Sequence, residues 1–254
     1  MVAEPGTVRF SIGRVIGSSL GVYARNFVSF SVLALLIGAL DLVAKLIWPQ
    51  SDGTITSNEV GVTGVIGAAL VMFLVMGLTQ AAIIYGTFQD LRGQKAGLAD
   101  CIARGLATMI PVIVGTILLS FAVGLAAIAL IVPGVILALM WWVYVPVLVV
   151  EGAGITGSFG RSSELTRGHR WEILGLVIIV IVLTFAVNFA AIMVASSIYM
   201  AAPTSDIVVV LSIVEYVTSA IVTAFSAILV AVGYYYLRAE KEGVDVHAIA
   251  QVFD

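Results

Sequence analysis

Residues 173–194 read ILGLVIIVIVLTFAVNFAAIMV, twenty-two positions without a single charged side chain. A helix rising about 1.5 Å per residue needs roughly 20 such positions to cross the ~30 Å hydrocarbon core of a bilayer. A transmembrane barrel strand would instead alternate apolar and polar residues over about 10 positions. The β-branched part, Val177 to Val182, is apolar on every side, so the stretch reads as a membrane-crossing helix. Helices satisfy their own backbone hydrogen bonds, which lipid cannot do for them.

Five more apolar runs lie to either side. They cover about Phe27 to Trp48, Val60 to Phe88, Thr108 to Val132, Val135 to Val150 and Ile207 to Leu237, and the quoted stretch extends to Met200. Pro133-Gly134 separates the third run from the fourth, and Pro146 predicts a kink inside the fourth because it lacks a backbone donor. The composition agrees: 61% of the 254 residues are hydrophobic and 11% charged, against roughly 45–50% and 25% in soluble domains. The net charge of −3 gives no sign of a nucleic-acid partner. Cys101 is the only cysteine, which excludes an internal disulfide. Met1 to Gly21 holds Glu4, Arg9 and Arg14 and no apolar signal core, so the first span is expected to serve as its own insertion signal.

A six-span arrangement sorts the basic residues. Eleven of the 12 Lys and Arg residues fall on one side, in the N-terminal segment, the second-to-third and fourth-to-fifth connections, and the tail; only Lys45 falls on the other. Positive residues collect in cytoplasmic loops, so both termini are expected in the cytoplasm.

Each cytoplasmic segment carries helical apolar spacing. Ile12, Ile16, Leu20, Tyr23 and Phe27 share one face in the first; Leu98, Ile102, Leu106 and Met109 do so in the second; Ile155, Phe159 and Thr166 align in the third. Such helices lie at the membrane interface. Ser18-Ser19 before Phe27 and Ser162-Ser163 before Trp171 repeat at matching distance. The expected fold is therefore all-α and polytopic: three repeats of an interfacial amphipathic helix plus a two-span hairpin. The units would be 8–92, 93–152 and 153–243, followed by a short tail, 244–254, in a single membrane domain.

Intramembrane polar groups are functional candidates. Asp41 and Lys45 stand four apart near the outer end of the first span, where they can pair. Glu215 lies about 12 Å into the last span and invites the same network. Gln80 and Asn188 fall near the middles of the second and fifth spans, where amides tie helices together. Arg14, Arg25, Arg161, Arg167, His169 and Arg170 are candidates for lipid headgroups. Trp141, Trp142, Tyr144, Trp171 and Tyr234 to Tyr236 suit the aromatic belt at the interface. The two histidines, His169 and His247, fit no metal-binding spacing, and no phosphate loop, dinucleotide fingerprint or nucleophile elbow is present. No catalytic residue, cofactor or metal is expected.

Three longer motifs add a resemblance. They are Pro133 to Ala138, then Val145-Pro146-Val147-Leu148-Val149-Val150-Glu151-Gly152, then Arg161-Ser162-Ser163-Glu164-Leu165-Thr166-Arg167-Gly168-His169-Arg170-Trp171. Together with the opening Phe10 to Phe27 and the closing Tyr235 to Gly243, they resemble the membrane domain of glycerophosphoryl diester phosphodiesterases and the stand-alone YciC-like bacterial inner-membrane proteins. The resemblance implies a six-span helical module. In the phosphodiesterases a separate soluble barrel carries out hydrolysis; no such barrel lies within these residues, so that activity is not carried over. The expected function is a non-catalytic scaffold or accessory subunit that binds membrane lipids or a larger membrane protein complex. The alternative is a transporter or channel for a lipid-like or small polar solute, with Asp41, Lys45, Gln80, Asn188 and Glu215 converging on one cavity. An enzyme acting on headgroups would have to rely on His169, Glu164 and Arg170.

Overall fold

A computed structural model describes residues 9–35, 39, 62–94, 97–201 and 205–242. Among them every regular element is a helix. The helices are α1 (Ile12–Arg25), α2 (Val62–Leu91), α3 (Leu98–Ala129), α4 (Ile131–Met140), α5 (Tyr144–Glu151), α6 (Gly154–Thr166), α7 (Arg170–Ala201) and α8 (Ser205–Glu242). Helix also resumes after Asn26, over residues 27–35. Among the described residues four stretches are long and apolar enough to cross a membrane: Leu98–Ala129, Ile131–Glu151, Arg170–Ile198 and Ile213–Glu242. This fits a multi-pass membrane protein.

The hairpin of α2 and α3 rests on small residues. Gly105 lets α3 approach so closely that an added Cβ would stand 2.8 Å from Leu78 and 3.2 Å from Ala82. Without a hydrophobic drive between helices in lipid, such close packing holds them together. The C-terminal half of α8 runs through the middle of the packing, burying Ala224, Ile228, Ala231, Val232 and Leu237 against α2 and its neighbours.

The break between the third and fourth apolar runs comes three residues earlier than Pro133 predicts. Helix α3 stops at Ala129, Leu130 is extended, and Pro133 sits in the first turn of α4. The predicted kink at Pro146 is likewise displaced, onto the turn at Trp141-Trp142-Val143, and Pro146 becomes the third residue of α5. The reason is the same in both places. The first backbone N–H groups of a helix have no partner within it, so a proline there sacrifices nothing.

The structure adds detail to the interface segments. α1 buries Val15, Ser19 and Val22 rather than the larger stripe, and Leu20 and Phe27 are 53% and 46% exposed. The helix packs on α8 and α7 with these small residues innermost, Ile12, Ile16 and Tyr23 partly buried beside them, and Leu20 and Phe27 outward. The second segment is not a separate helix: α3 runs unbroken from Leu98, and Cys101 and Gly105, not Leu98 and Leu106, are its buried positions. The third segment is helix α6 as expected; it buries Ser158, Ser162 and Leu165, and Thr166 beside them. α1 and α6 thus bury the same i, i+4, i+7 pattern with a serine at its centre.

Candidate functional site: a charged plate at one end of the bundle

Three elements meet where the last turns of α8 pass the end of α5 and the length of α6. On α8, Tyr234, Arg238 and Glu242 recur every four residues, so they share one face. Gly152 closes α5 in the left-handed conformation, φ 64°, and leaves Glu151 at the helix end facing that row. Arg161 faces it from α6.

The Glu151 carboxylate accepts a hydrogen bond from the Tyr234 hydroxyl at 2.7 Å and one from Arg161 Nε at 3.2 Å. Arg238 Nη1 lies 3.9 Å from it and donates to the Tyr234 hydroxyl at 3.1 Å. Arg238 Nε donates to Glu242 at 2.9 Å, and Arg161 reaches Glu242 through Nη2 and Glu164 through Nη1. Partial burial of Arg161 works against its charge, but Glu151, Glu164 and Glu242 outweigh it and hold the guanidinium above its ordinary pKa. Two guanidiniums, three carboxylates and a phenol are thereby engaged with one another.

A second tie lies beside the first. His169 Nδ1 pairs with Glu172 at 2.6 Å and Nε2 lies 3.5 Å from Glu240. Glu240 also accepts the backbone N–H of Phe10, whose ring leans on His169 at 5.6 Å. Ser18 and Tyr236 share a hydrogen bond of 2.7 Å, so α1 is fastened to α8 as well. A third tie joins Arg25 and Asn26 to Asp90 at the end of α2, at 2.7 and 2.6 Å.

The headgroup candidates therefore divide. Arg161 and Arg25 hold carboxylates, and His169 is held between two glutamates. Arg14 is exposed and donates only a long bond to the Arg9 carbonyl, 3.5 Å. Arg167 and Arg170 are paired with no carboxylate among the described residues. The trio His169, Glu164 and Arg170 is not gathered into one site, since Glu164 turns to Arg161 and His169 to Glu172 and Glu240.

The intramembrane candidates lie apart. Gln80 is half-buried between α2 and α3, lining a small space with Met76 and Ile113. Asn188 is exposed on α7 and donates to the Thr184 carbonyl of its own helix at 2.8 Å. Glu215 is exposed on α8. Asp41 and Lys45 lie outside the described residues. A larger apolar groove of about 360 Å³ runs between α1, α7 and α8, lined by Leu20, Tyr23, Val180, Thr184, Phe225 and Ser226.

Of the belt candidates, Trp171 is 84% exposed, whereas Tyr144, Tyr234 and Tyr235 pack inside. A buried tyrosine needs a partner for its hydroxyl. Tyr234 has Glu151 and Arg238, while Tyr144 reaches the Pro111 carbonyl at 3.4 Å and stacks on Phe159. Glu151, Tyr234, Arg238, Glu240 and Glu242 were not among the sequence candidates. The four-residue spacing of Tyr234, Arg238 and Glu242 was the available signal; nothing local linked Glu151 to them across 83 residues.

A scan against protein-family models and searches of curated proteins and of solved structures return no match.

Proposed function

We propose that this chain is a non-catalytic module of the bacterial inner membrane that serves as a scaffold or accessory subunit, binding lipids and partner membrane proteins through its helices. One observation carries the reading: the charged groups at the plate are tied to each other, while beyond Leu176 none of the described residues of α7 is buried. The plate is built to hold elements together. Helix α7 presents apolar surface that other membrane components can cover.

In this reading α2 and the run beginning at residue 27 join the four long apolar stretches to make six spans, with both termini cytoplasmic. The shared buried pattern of α1 and α6, and Cys101-to-Gly105 at the head of α3, support three related units. The motif resemblance to the phosphodiesterase membrane domain and the YciC-like proteins points the same way. The transporter alternative drew on polar residues converging in one cavity. Among the described residues Gln80, Asn188 and Glu215 stand on separate helices and line no common cavity described above, so they lend that alternative no support.

A photo-reactive residue placed at Phe189, exposed on α7, tests the proposal in living cells. A discrete, reproducible protein adduct is expected, absent when the probe replaces buried Ile228. Only scattered lipid adducts, together with solute flux in reconstituted vesicles, would overturn the scaffold reading.

A further inference from the structure

The turn from α6 into α7 joins two cavities of different character. One is a polar recess of about 410 Å³ lined by Arg167, Gly168, Arg170 and Trp171. The other is an apolar groove of about 460 Å³ between α4 and the first turns of α7, lined by Val132, Val135, Ile136 and Leu139 on one side and by Leu174 on the other. Arg170 and Trp171 line both, so the two cavities adjoin at these side chains. Each volume falls within the ~300–1,000 Å³ of ordinary ligand sites.

The charge at the recess is free to act on a ligand. Arg25, Arg161 and Arg238 are each paired with carboxylates, and Arg104 donates to the Val149 carbonyl. Among the described residues Arg167 and Arg170 have no such partner, and Arg170 Nε is buried without any hydrogen-bond acceptor. The carboxylates of the same segment, Glu164 and Glu172, turn to Arg161 and His169. A buried guanidinium nitrogen lacking an acceptor is costly unless something supplies one. Trp171 stands beside it, almost fully exposed, where an amphipathic ring meets the headgroup layer.

We infer that this junction holds one anionic phospholipid, its phosphate between Arg167 and Arg170 and an acyl chain along α4 in the groove. Guanidinium geometry matches phosphate oxygens. From Ile131 to Leu139 the groove follows about 12 Å of helix, enough for much of a chain. The inference rests on the lipid-binding reading above and assigns that binding to one place.

The test uses full-length protein, purified in detergent and stripped of lipid, then titrated with phosphatidylglycerol or phosphatidylcholine of matched chains while native mass spectrometry counts bound lipid. One phosphatidylglycerol is expected, held well above phosphatidylcholine. At about a fivefold effect per basic residue, Arg167→Gln with Arg170→Gln lowers affinity roughly 30-fold, and Arg167→Gln alone, at an exposed position, lowers it about fivefold if the double variant does not fold. Lys241→Gln, at an exposed basic residue outside the recess and not among the headgroup candidates, leaves it unchanged. Val132→Trp, which fills the groove from a mostly exposed position, weakens both lipids without lowering the melting temperature. Equal uptake by the arginine variants and wild type overturns the site while retained lipid leaves the general reading standing. Displacement by millimolar glycerol phosphate as effective as lipid would mean a free-phosphate site instead. Wild-type protein that takes up no lipid removes both.

Discussion

Replacing Glu151 by alanine should loosen the whole plate. Its carboxylate bridges α6 through Arg161 and α8 through Tyr234, with Arg238 close behind, and the side chains of the Glu151–Arg161 pair are only 17% and 25% exposed. A hydrogen bond to a charged group contributes about 1.5–3 kcal/mol, and removing one partner of a fully buried pair costs about 3–5 kcal/mol. Partial exposure and the remaining glutamates on Arg161 reduce this, so Glu151→Ala is expected to cost about 2–3 kcal/mol. In a chain of this size that is roughly 5–10 °C in melting temperature. Glu151→Gln keeps the shape and one acceptor oxygen and should cost about half as much. Glu164→Ala removes an exposed partner of the same arginine and should cost less than about 0.5 kcal/mol. The assay is thermal unfolding in a fixed detergent, with a double-mutant cycle against Arg161→Ala to isolate the pair. If Glu151→Ala melts within a degree of Glu164→Ala, Glu151 is not the tie described.

Gly115→Ala would place a Cβ 1.6 Å from the Tyr144 hydroxyl; the displaced ring should cost about 1–3 kcal/mol, and combining it with Tyr144→Ala should cost less than the two changes added. Asn188→Leu should be nearly neutral, within about 0.5 kcal/mol, because the amide bonds only to its own helix; marked loss of stability or function would revive the transport reading. In a Cys101→Ser background, a single cysteine at Asp52 should react with a membrane-impermeant maleimide in intact cells, and one at Glu164 only after permeabilisation; the reverse pattern would invert the topology.

Four of the apolar runs were legible as long helical stretches because hydrophobicity in lipid is a one-dimensional property of the chain: the run from Ile173 to Met200 falls within α7, Arg170–Ala201. The prolines were harder. Pro133 and Pro146 both announce a break, but a proline is tolerated in the first turn of the helix that follows it, so the break falls before it. The face that α1 turns to the protein was not readable from its apolar stripe: packing on α8 buries the smaller Val15, Ser19 and Val22 and sets Leu20 at the groove. At the plate, Arg161 and His169 stood out in a basic segment, but Glu240 and Glu242 come from the end of a span far off in sequence, and Glu151 from the end of the preceding helix across the Gly152 turn. Only the helix packing reveals that Arg161 is engaged and Arg167 and Arg170 are not.

Native mass spectrometry of the protein drawn gently from its own membrane tests the central claim most directly. The scaffold reading predicts a complex carrying retained phospholipid or a partner membrane protein in fixed ratio. A bare monomer, with neither lipid nor protein held under conditions that preserve its helices, would contradict it.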